Sequence, residues 1–194
     1  MVFVAALAIV PPVACAQTGD GMVRVVLETE RGEIEIALDA RHAPATTANF
    51  LRYVDRGFYD GGVFHRTVKL DPDNQPKNKI KIEVIQGGIN AARAKEDGPA
   101  IPLERTSVTG LRHLDDTISM ARDGPDTATS DFFICVGDQP ALDFGGQRNP
   151  DGQGFAAFGR VVRGMDVVRA IQNAPADGQS LKPPIKILKA SRKQ

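Results

Sequence analysis

The stretch Val23-Arg24-Val25-Val26-Leu27-Glu28-Thr29-Glu30-Arg31-Gly32-Glu33-Ile34-Glu35-Ile36-Ala37-Leu38 decides the fold class. Apolar side chains fall on alternate positions on both sides of Glu30-Arg31-Gly32. A period of two is the mark of a half-buried strand, and a short Gly-bearing turn between two such runs makes a β-hairpin. The same short pattern returns at Val63–Val68, Ile80–Gln86, Thr117–Ala121, Phe132–Val136, Ala156–Val162 and Ile185–Leu188. Only two segments carry helical spacing. From Pro44 to Gly57, Ala43, Thr47, Phe50, Leu51 and Val54 fall near i, i+3, i+4, with Pro44 at the first helical position and Gly57 as the C-terminal cap. The second runs from Met165 to Asn173, after Gly164. Strands and helices do not alternate as in βαβ units. The expectation is a mainly β protein: a closed antiparallel barrel of about eight strands, capped by two α-helices. Lys69–Lys79 reads as a polar surface loop, residues 89–115 as irregular chain, and Ser191–Gln194 as a loose tail.

The chain has 194 residues, with 24 Lys+Arg against 24 Asp+Glu. That length suits one domain. A balanced charge supplies no global field to hold nucleic acid or an anionic membrane surface. Residues 1–16 are uncharged, and their apolar run from Val2 to Val10 is too short to span a bilayer. It is followed by Pro11-Pro12 and Ala14-Cys15-Ala16, an A-x-A-like cleavage site. This predicts a signal peptide over 1–16, a mature chain beginning at Gln17, a flexible segment over 17–22, a folded domain over 23–190, and a periplasmic protein. Cys135, in the run Phe132-Phe133-Ile134-Cys135-Val136, reads as a buried small hydrophobe. His42, His65 and His113 are dispersed without metal-ligand spacing. Neither metal nor cofactor is expected.

Periodicity stops at a barrel; function comes from ordered strings. These are Phe64-His65-Arg66, Gln86-Gly87-Gly88, Ile118-Ser119-Met120-Ala121-Arg122, Ser130-Asp131-Phe132-Phe133-Ile134, Leu142-Asp143 and Phe158-Gly159-Arg160-Val161-Val162-Arg163-Gly164-Met165. In that order they resemble the cyclophilin family, over about Val23 to Ile187 and most closely in its bacterial secreted branch. The resemblance implies an eight-stranded barrel with two capping helices. It also implies a peptidyl-prolyl cis-trans isomerase that assists folding by turning Xaa-Pro bonds of unfolded or partly folded polypeptides. By the same resemblance Arg66 is the donor to the twisted amide, Gln86 orients it, and Phe133 is the floor of the proline pocket. His65, Val84, Ala121, Asp131, Leu142 and Phe155 match substrate-binding positions, and Phe132, on the opposite strand face, is core. A monomer is expected.

The chain departs from the family pattern in several places. Its Arg66–Gln86 interval is lengthened by the Lys69–Lys79 loop. The pocket phenylalanine and methionine become Glu83 and Val84. Glu83 cannot serve as an apolar wall, so a residue of the inserted loop is expected in its place. Ala141 stands for the aromatic before Leu142-Asp143, opening the groove and weakening cyclosporin-type ligands. Phe155 replaces a histidine, and Asp131 a glutamine. Glu83 and Ala141 keep open a non-catalytic peptide-binding module on the same fold. A hollow lipocalin-type barrel is disfavoured because aliphatic strands fill an eight-stranded barrel.

Overall fold

The computed structural model of the chain describes residues 21–193. Its strands are β1 (Met22–Thr29), β2 (Gly32–Asp39), β3 (Val63–Val68), β4 (Val84–Gly88), β5 (Thr117–Met120), β6 (Phe132–Cys135), β7 (Ala156–Arg163), β8 (Ala176–Asp177) and β9 (Ser180–Arg192). Hydrogen bonding runs in the order β1-β2-β7-β5-β6-β4-β3-β9, and β9 pairs back onto β1, so eight antiparallel strands close a barrel. The two-residue β8 is a short hairpin arm on the start of β9. Among the described residues closure leaves none of the eight barrel strands as an open edge; only the two-residue β8 arm is unpaired on its outer side.

The interior is filled by the alternate side chains that the pattern selects. Val25, Leu27, Ile34, Ile36 and Leu38 of the first hairpin are fully buried. With them pack Phe64, Ile85, Ile118, Phe132, Ile134 and Phe158. Helix α1 (Pro44–Asp55) adds Phe50, Leu51 and Val54 to this core, and α3 (Met165–Gln172) adds Val168 and Ile171. Phe132 is at the centre of an aromatic group, edge-on to Phe50, Tyr59 and Phe64 at centroid separations of 5.5, 5.5 and 5.7 Å.

Four expectations are corrected. The strand expected over Ile80–Gln86 forms only from Val84, because the backbone of Ile82 pairs with a side chain instead of a neighbouring strand. The last strand is far longer than Ile185–Leu188. Pro183 and Pro184 interrupt its pattern, and they sit where the β3–β9 register shifts, between the pairs Phe64↔Ile185 and Arg66↔Ser180. A bulge is where a sheet tolerates residues without an N–H to donate. The tail is held through Lys193: Ser191 and Arg192 pair with Val26 and Val25, and Lys193 Nζ meets Glu35 Oε2 at 2.7 Å. Barrel strands thus include Met22 and run past residue 190. The stretch 89–115 contains a 3₁₀ turn, Ala91–Glu96, and a third short helix, α2 (Thr106–Thr109). The expected signal peptide and residues 17–20 lie outside the described residues.

Candidate active site

Strict alternation would point Arg66 the same way as Phe64, into the barrel core. A bulge at His65 prevents this. On β4, Phe64 pairs with Gly87 and Arg66 pairs with Gln86, so His65 is the extra residue. The inserted residue turns Arg66 to the outer face of the sheet. There the register builds one row across four strands: Arg66 beside Gln86, Gln86 beside Phe133, and Phe133 beside Ser119. The neighbouring row, Val68–Val84–Cys135, belongs to a second apolar cluster with Ile82, Phe133 and Leu142, against which Ala121 and Phe155 pack. Phe132 and Phe133 thus fall on opposite faces, in different cores.

The Arg66 guanidinium is clamped from its sides. Its Nε and Nη2 donate to Gln179 Oε1 at 2.9 and 2.7 Å, and its Nη1 donates to Gln86 Oε1 at 2.9 Å. Of the five guanidinium hydrogens, this leaves one on each terminal nitrogen for a ligand in front of the fork. Burial pulls the Arg66 pKa below its usual value, yet arginine keeps its proton throughout the range in which proteins work. The chain continues from Gln86, whose Nε2 donates to Asp131 Oδ2 at 3.2 Å; that carboxylate stands 3.7 Å from His65 Nε2. A Cβ on Gly88 would overlap Asp131 Oδ1, so glycine at 88 is what lets the carboxylate approach β4.

Burial raises the Asp131 pKa, against the lowering effect of His65 and of the Gln86 hydrogen bond; Asp97 adds to the rise. The sign for stability follows. The native state holds this proton more tightly than the unfolded chain does. Asp131 therefore favours folding below its ordinary value, and that contribution is lost as pH rises through the raised one. Orientation runs the other way. The ionised carboxylate can only accept, so it fixes Gln86 with Nε2 toward Asp131 and Oε1 toward Arg66. Protonation releases that constraint. For the Xaa-Pro exchange that the resemblance implies, we expect kcat/KM to fall on the acid side with an apparent pKa above the usual carboxylate value. Asp131→Asn, which offers a donor beside its acceptor at every pH and so mimics the protonated acid, should lose the limb and stay at the lowered rate. A pH–rate profile of both proteins decides this, and an identical acid limb in the variant would take Asp131 out of the account.

In front of the row lies a cavity of about 400 Å³, within the range of roughly 300–1,000 Å³ usual for ligand sites. Arg66, Gln86, Phe133, Val84, Ala121, Asp131, Leu142 and Phe155 all line it. Of the expected site residues only His65 is absent from the lining; its contact is with Asp131. Phe133 forms the floor, with Phe155 edge-on at 5.3 Å and the His113 ring stacked behind it at 5.9 Å. The apolar wall comes from Val84 and Ile82. It does not come from the inserted loop, which acts from behind: buried Gln75 accepts from Ile82 N–H at 3.2 Å and donates to its carbonyl at 2.6 Å. Glu83 turns away, accepting from Leu70 N–H at 3.4 Å.

Sequence reasoning missed several participants. Gln179 lies between β8 and β9, 113 residues from the arginine that it holds, and no local pattern marks it. His113 stands apart from the other histidines in the sequence. Its Nδ1 is 2.7 Å from Asp143 Oδ1, and its Nε2 is 3.0 Å from Ser119 Oγ. Burial works to raise the Asp143 pKa, but the side-chain and backbone hydrogen bonds of His113 outweigh it and hold the carboxyl below its ordinary value. The trio has the residue types of a hydrolase triad, but Ser119 is 0 % exposed and no acyl carbon can reach it. It braces the floor under Phe133. The last omission is the Gly-rich interval between Leu142-Asp143 and Phe155. It forms a second loop, pinned by Arg122, whose Nη1 and Nη2 meet Asp151 at 2.8 and 3.0 Å and whose Nε donates to Gly154 O at 2.8 Å. This loop carries Arg148 into the cavity lining. The glycines and Pro150 of the interval were the available signal, and they mark a loop without saying what it touches.

Residues 24–192 match the family model described as cyclophilin type peptidyl-prolyl cis-trans isomerase/CLD. The chain is 40% identical over 154 residues to peptidyl-prolyl cis-trans isomerase A of Dickeya dadantii, covering 79% of this chain and 73% of the relative. It is 36% identical over 157 residues to peptidyl-prolyl cis-trans isomerase B of Escherichia coli, covering 80% and 87%. A crystal structure of a Cryptosporidium parvum cyclophilin type peptidyl-prolyl cis-trans isomerase superposes with a TM-score of 0.70 at 22% identity, over 89% of this chain and 98% of that one. At that identity the likeness bears on the fold.

Proposed function

The chain belongs to the cyclophilin-type peptidyl-prolyl cis-trans isomerase family, and on that premise we propose how its residues turn the Xaa-Pro bond and where it does so. The reaction crosses a barrier of about 18–20 kcal/mol set by the double-bond character of the C–N bond, and uncatalysed it takes tens to hundreds of seconds. No proton moves and no covalent intermediate forms. A catalyst has to bind the twisted amide, in which resonance is lost, better than either planar isomer. The pyrrolidine ring sits on Phe133 between Val84, Leu142 and Phe155. Arg66 donates to the prolyl carbonyl and favours a pyramidal prolyl nitrogen, a preorganised donor that needs no rearrangement as the bond turns. Gln86 and Gln179 hold the guanidinium for that task. The observation that carries this reading is the clamp itself: it leaves the two front hydrogens of Arg66 free, in the lining of an apolar-floored cavity. A second structure of the Cryptosporidium parvum protein was obtained in the presence of the dipeptide Ala-Pro, a ligand of the size this cavity accepts. In a proline-limited refolding assay, catalytic amounts of the protein should shorten the slow phase. An unchanged slow phase would refute an assistant of folding.

The protein is further proposed to act as a monomer of the bacterial secreted branch, exported to the periplasm. Support comes from the uncharged apolar run and the Ala14-Cys15-Ala16 site. N-terminal sequencing of protein from the periplasmic fraction should begin at Gln17. Intact Met1 on soluble cytoplasmic protein would contradict export.

A further inference from the structure

Besides Arg66 and Arg122 the cavity lining holds a third guanidinium, that of Arg148, and its charge is unmatched. Arg148 enters the lining from the second loop, where its backbone N–H donates to Ala141 O at 3.1 Å. Its Nη1 donates to Ile80 O at 2.6 Å and to Gln75 Oε1 at 3.2 Å. The Asn78 amide, turned so that its oxygen faces the guanidinium, accepts from Nη1 and Nη2 at 2.8 Å. These partners are all neutral. Gln75 and Asn78 belong to the Lys69–Lys79 loop, so that loop and the one between Asp143 and Phe155 meet at Arg148. The partners occupy its Nη1 side and leave the Nε–Nη2 edge, the side-on fork that takes a carboxylate through two parallel hydrogen bonds.

The charges around the cavity are unevenly matched. Arg122 is paired with Asp151. Arg66, like Arg148, is held by amide oxygens alone. The two unmatched cations feel one another: burial first, and then the Arg66 charge, lower the pKa of Arg148. Asp131 and Asp123 also line the cavity and supply negative charge, Asp131 beside Gln86. A bound chain therefore meets two like cations, a arrangement that an anion relieves, and carboxylates elsewhere that repel one.

We propose that Arg148 selects Xaa-Pro segments with an Asp or Glu side chain within two residues after the proline. This rests on the reading of Arg66 as the donor to the prolyl carbonyl. That carbonyl is where the chain leaves the ring toward its C-terminus, and the proposal sets Arg148, which lines the same cavity and feels the Arg66 charge, against the residues that follow. An acidic residue before the proline gains nothing there.

The test compares Xaa-Pro-Glu peptides with their isosteric Xaa-Pro-Gln partners, by exchange NMR and by shift titration, in the wild-type protein, Arg148→Gln and Arg148→Lys. The readout is the Glu-to-Gln ratio within each protein, so a general loss of activity does not move it. The wild type should favour the Glu peptide about tenfold, as a charge-assisted hydrogen bond implies. The preference should shrink in high salt, fall to about one in Arg148→Gln, and be partly kept in Arg148→Lys, which retains charge without the fork. Glu-Pro against Gln-Pro peptides should show no such preference. A wild-type ratio near one, or a ratio unchanged in Arg148→Gln, overturns the proposal. Binding that still discriminates Glu from Gln, with no acceleration of either peptide, would instead refute the role of Arg66 and leave the selectivity standing.

Discussion

Arg66→Ala should lower kcat/KM for Xaa-Pro exchange by about 100- to 1,000-fold, the effect of removing one preorganised donor from a developing transition state. The fold should survive, because the lost contacts are to Gln86 and Gln179 at the cavity margin. Arg66→Lys should rescue little. An ammonium keeps the charge, but two glutamine oxygens cannot clamp it while two further hydrogens stay aimed forward. A protease-coupled or NMR rate measurement, with circular dichroism to confirm folding, reads both variants. Activity within a few-fold of the parent in Arg66→Ala would mean that the pocket alone lowers the barrier.

The second large effect separates two neighbouring phenylalanines. Phe132→Ala empties the centre of the aromatic group formed with Phe50, Tyr59 and Phe64, and should cost about 3–5 kcal/mol of stability. For a domain of this size that lowers Tm by about 2–4 °C per kcal/mol. Its kcat/KM per folded molecule should match the parent. Phe133→Ala opens into a cavity that water already reaches, so it should cost less stability. The loss of apolar burial for the proline ring, about 1.5–3 kcal/mol, should reduce kcat/KM by about 10- to 100-fold. Thermal melts and rates on the two variants check the assignment of faces. If Phe132→Ala lost activity while keeping its melting temperature, the register at β6 would be wrong.

That contrast marks what a sequence can reveal here. Strand alternation alone separates Phe132 from Phe133, and the same period locates the first hairpin. Pro44, Gly57 and Gly164 frame the helices correctly because their conformational limits are local. The position of Arg66 is of another kind. Alternation sends it inward, and only the bulge at His65 turns it out, through a register shift opposite β4 and β9. Nothing in Phe64-His65-Arg66 announces a bulge, so its side could be reached only by resemblance. Gln179, Gln75 and Arg148 were illegible for a related reason: each acts through a contact between distant segments. The roles of Glu83 and Ile82 likewise depend on Gln75, which pairs with the backbone of Ile82 and ends the strand early. The Lys69–Lys79 insertion was still legible as a departure from the family pattern, although its meeting with the second loop at Arg148 was not.

The central claim is that one cavity, with Arg66 clamped over the floor of Phe133, lowers the barrier to Xaa-Pro rotation. Two-dimensional exchange NMR on a short Xaa-Pro peptide, with substoichiometric protein, measures it most directly. The account predicts cis–trans cross-peaks building up in tens of milliseconds with the wild type, where rotation of the free peptide takes on the order of tens of seconds or longer, and their disappearance with Arg66→Ala. Peptide shifts that report binding to the wild type without exchange cross-peaks would contradict it, leaving a cavity that holds proline without turning it.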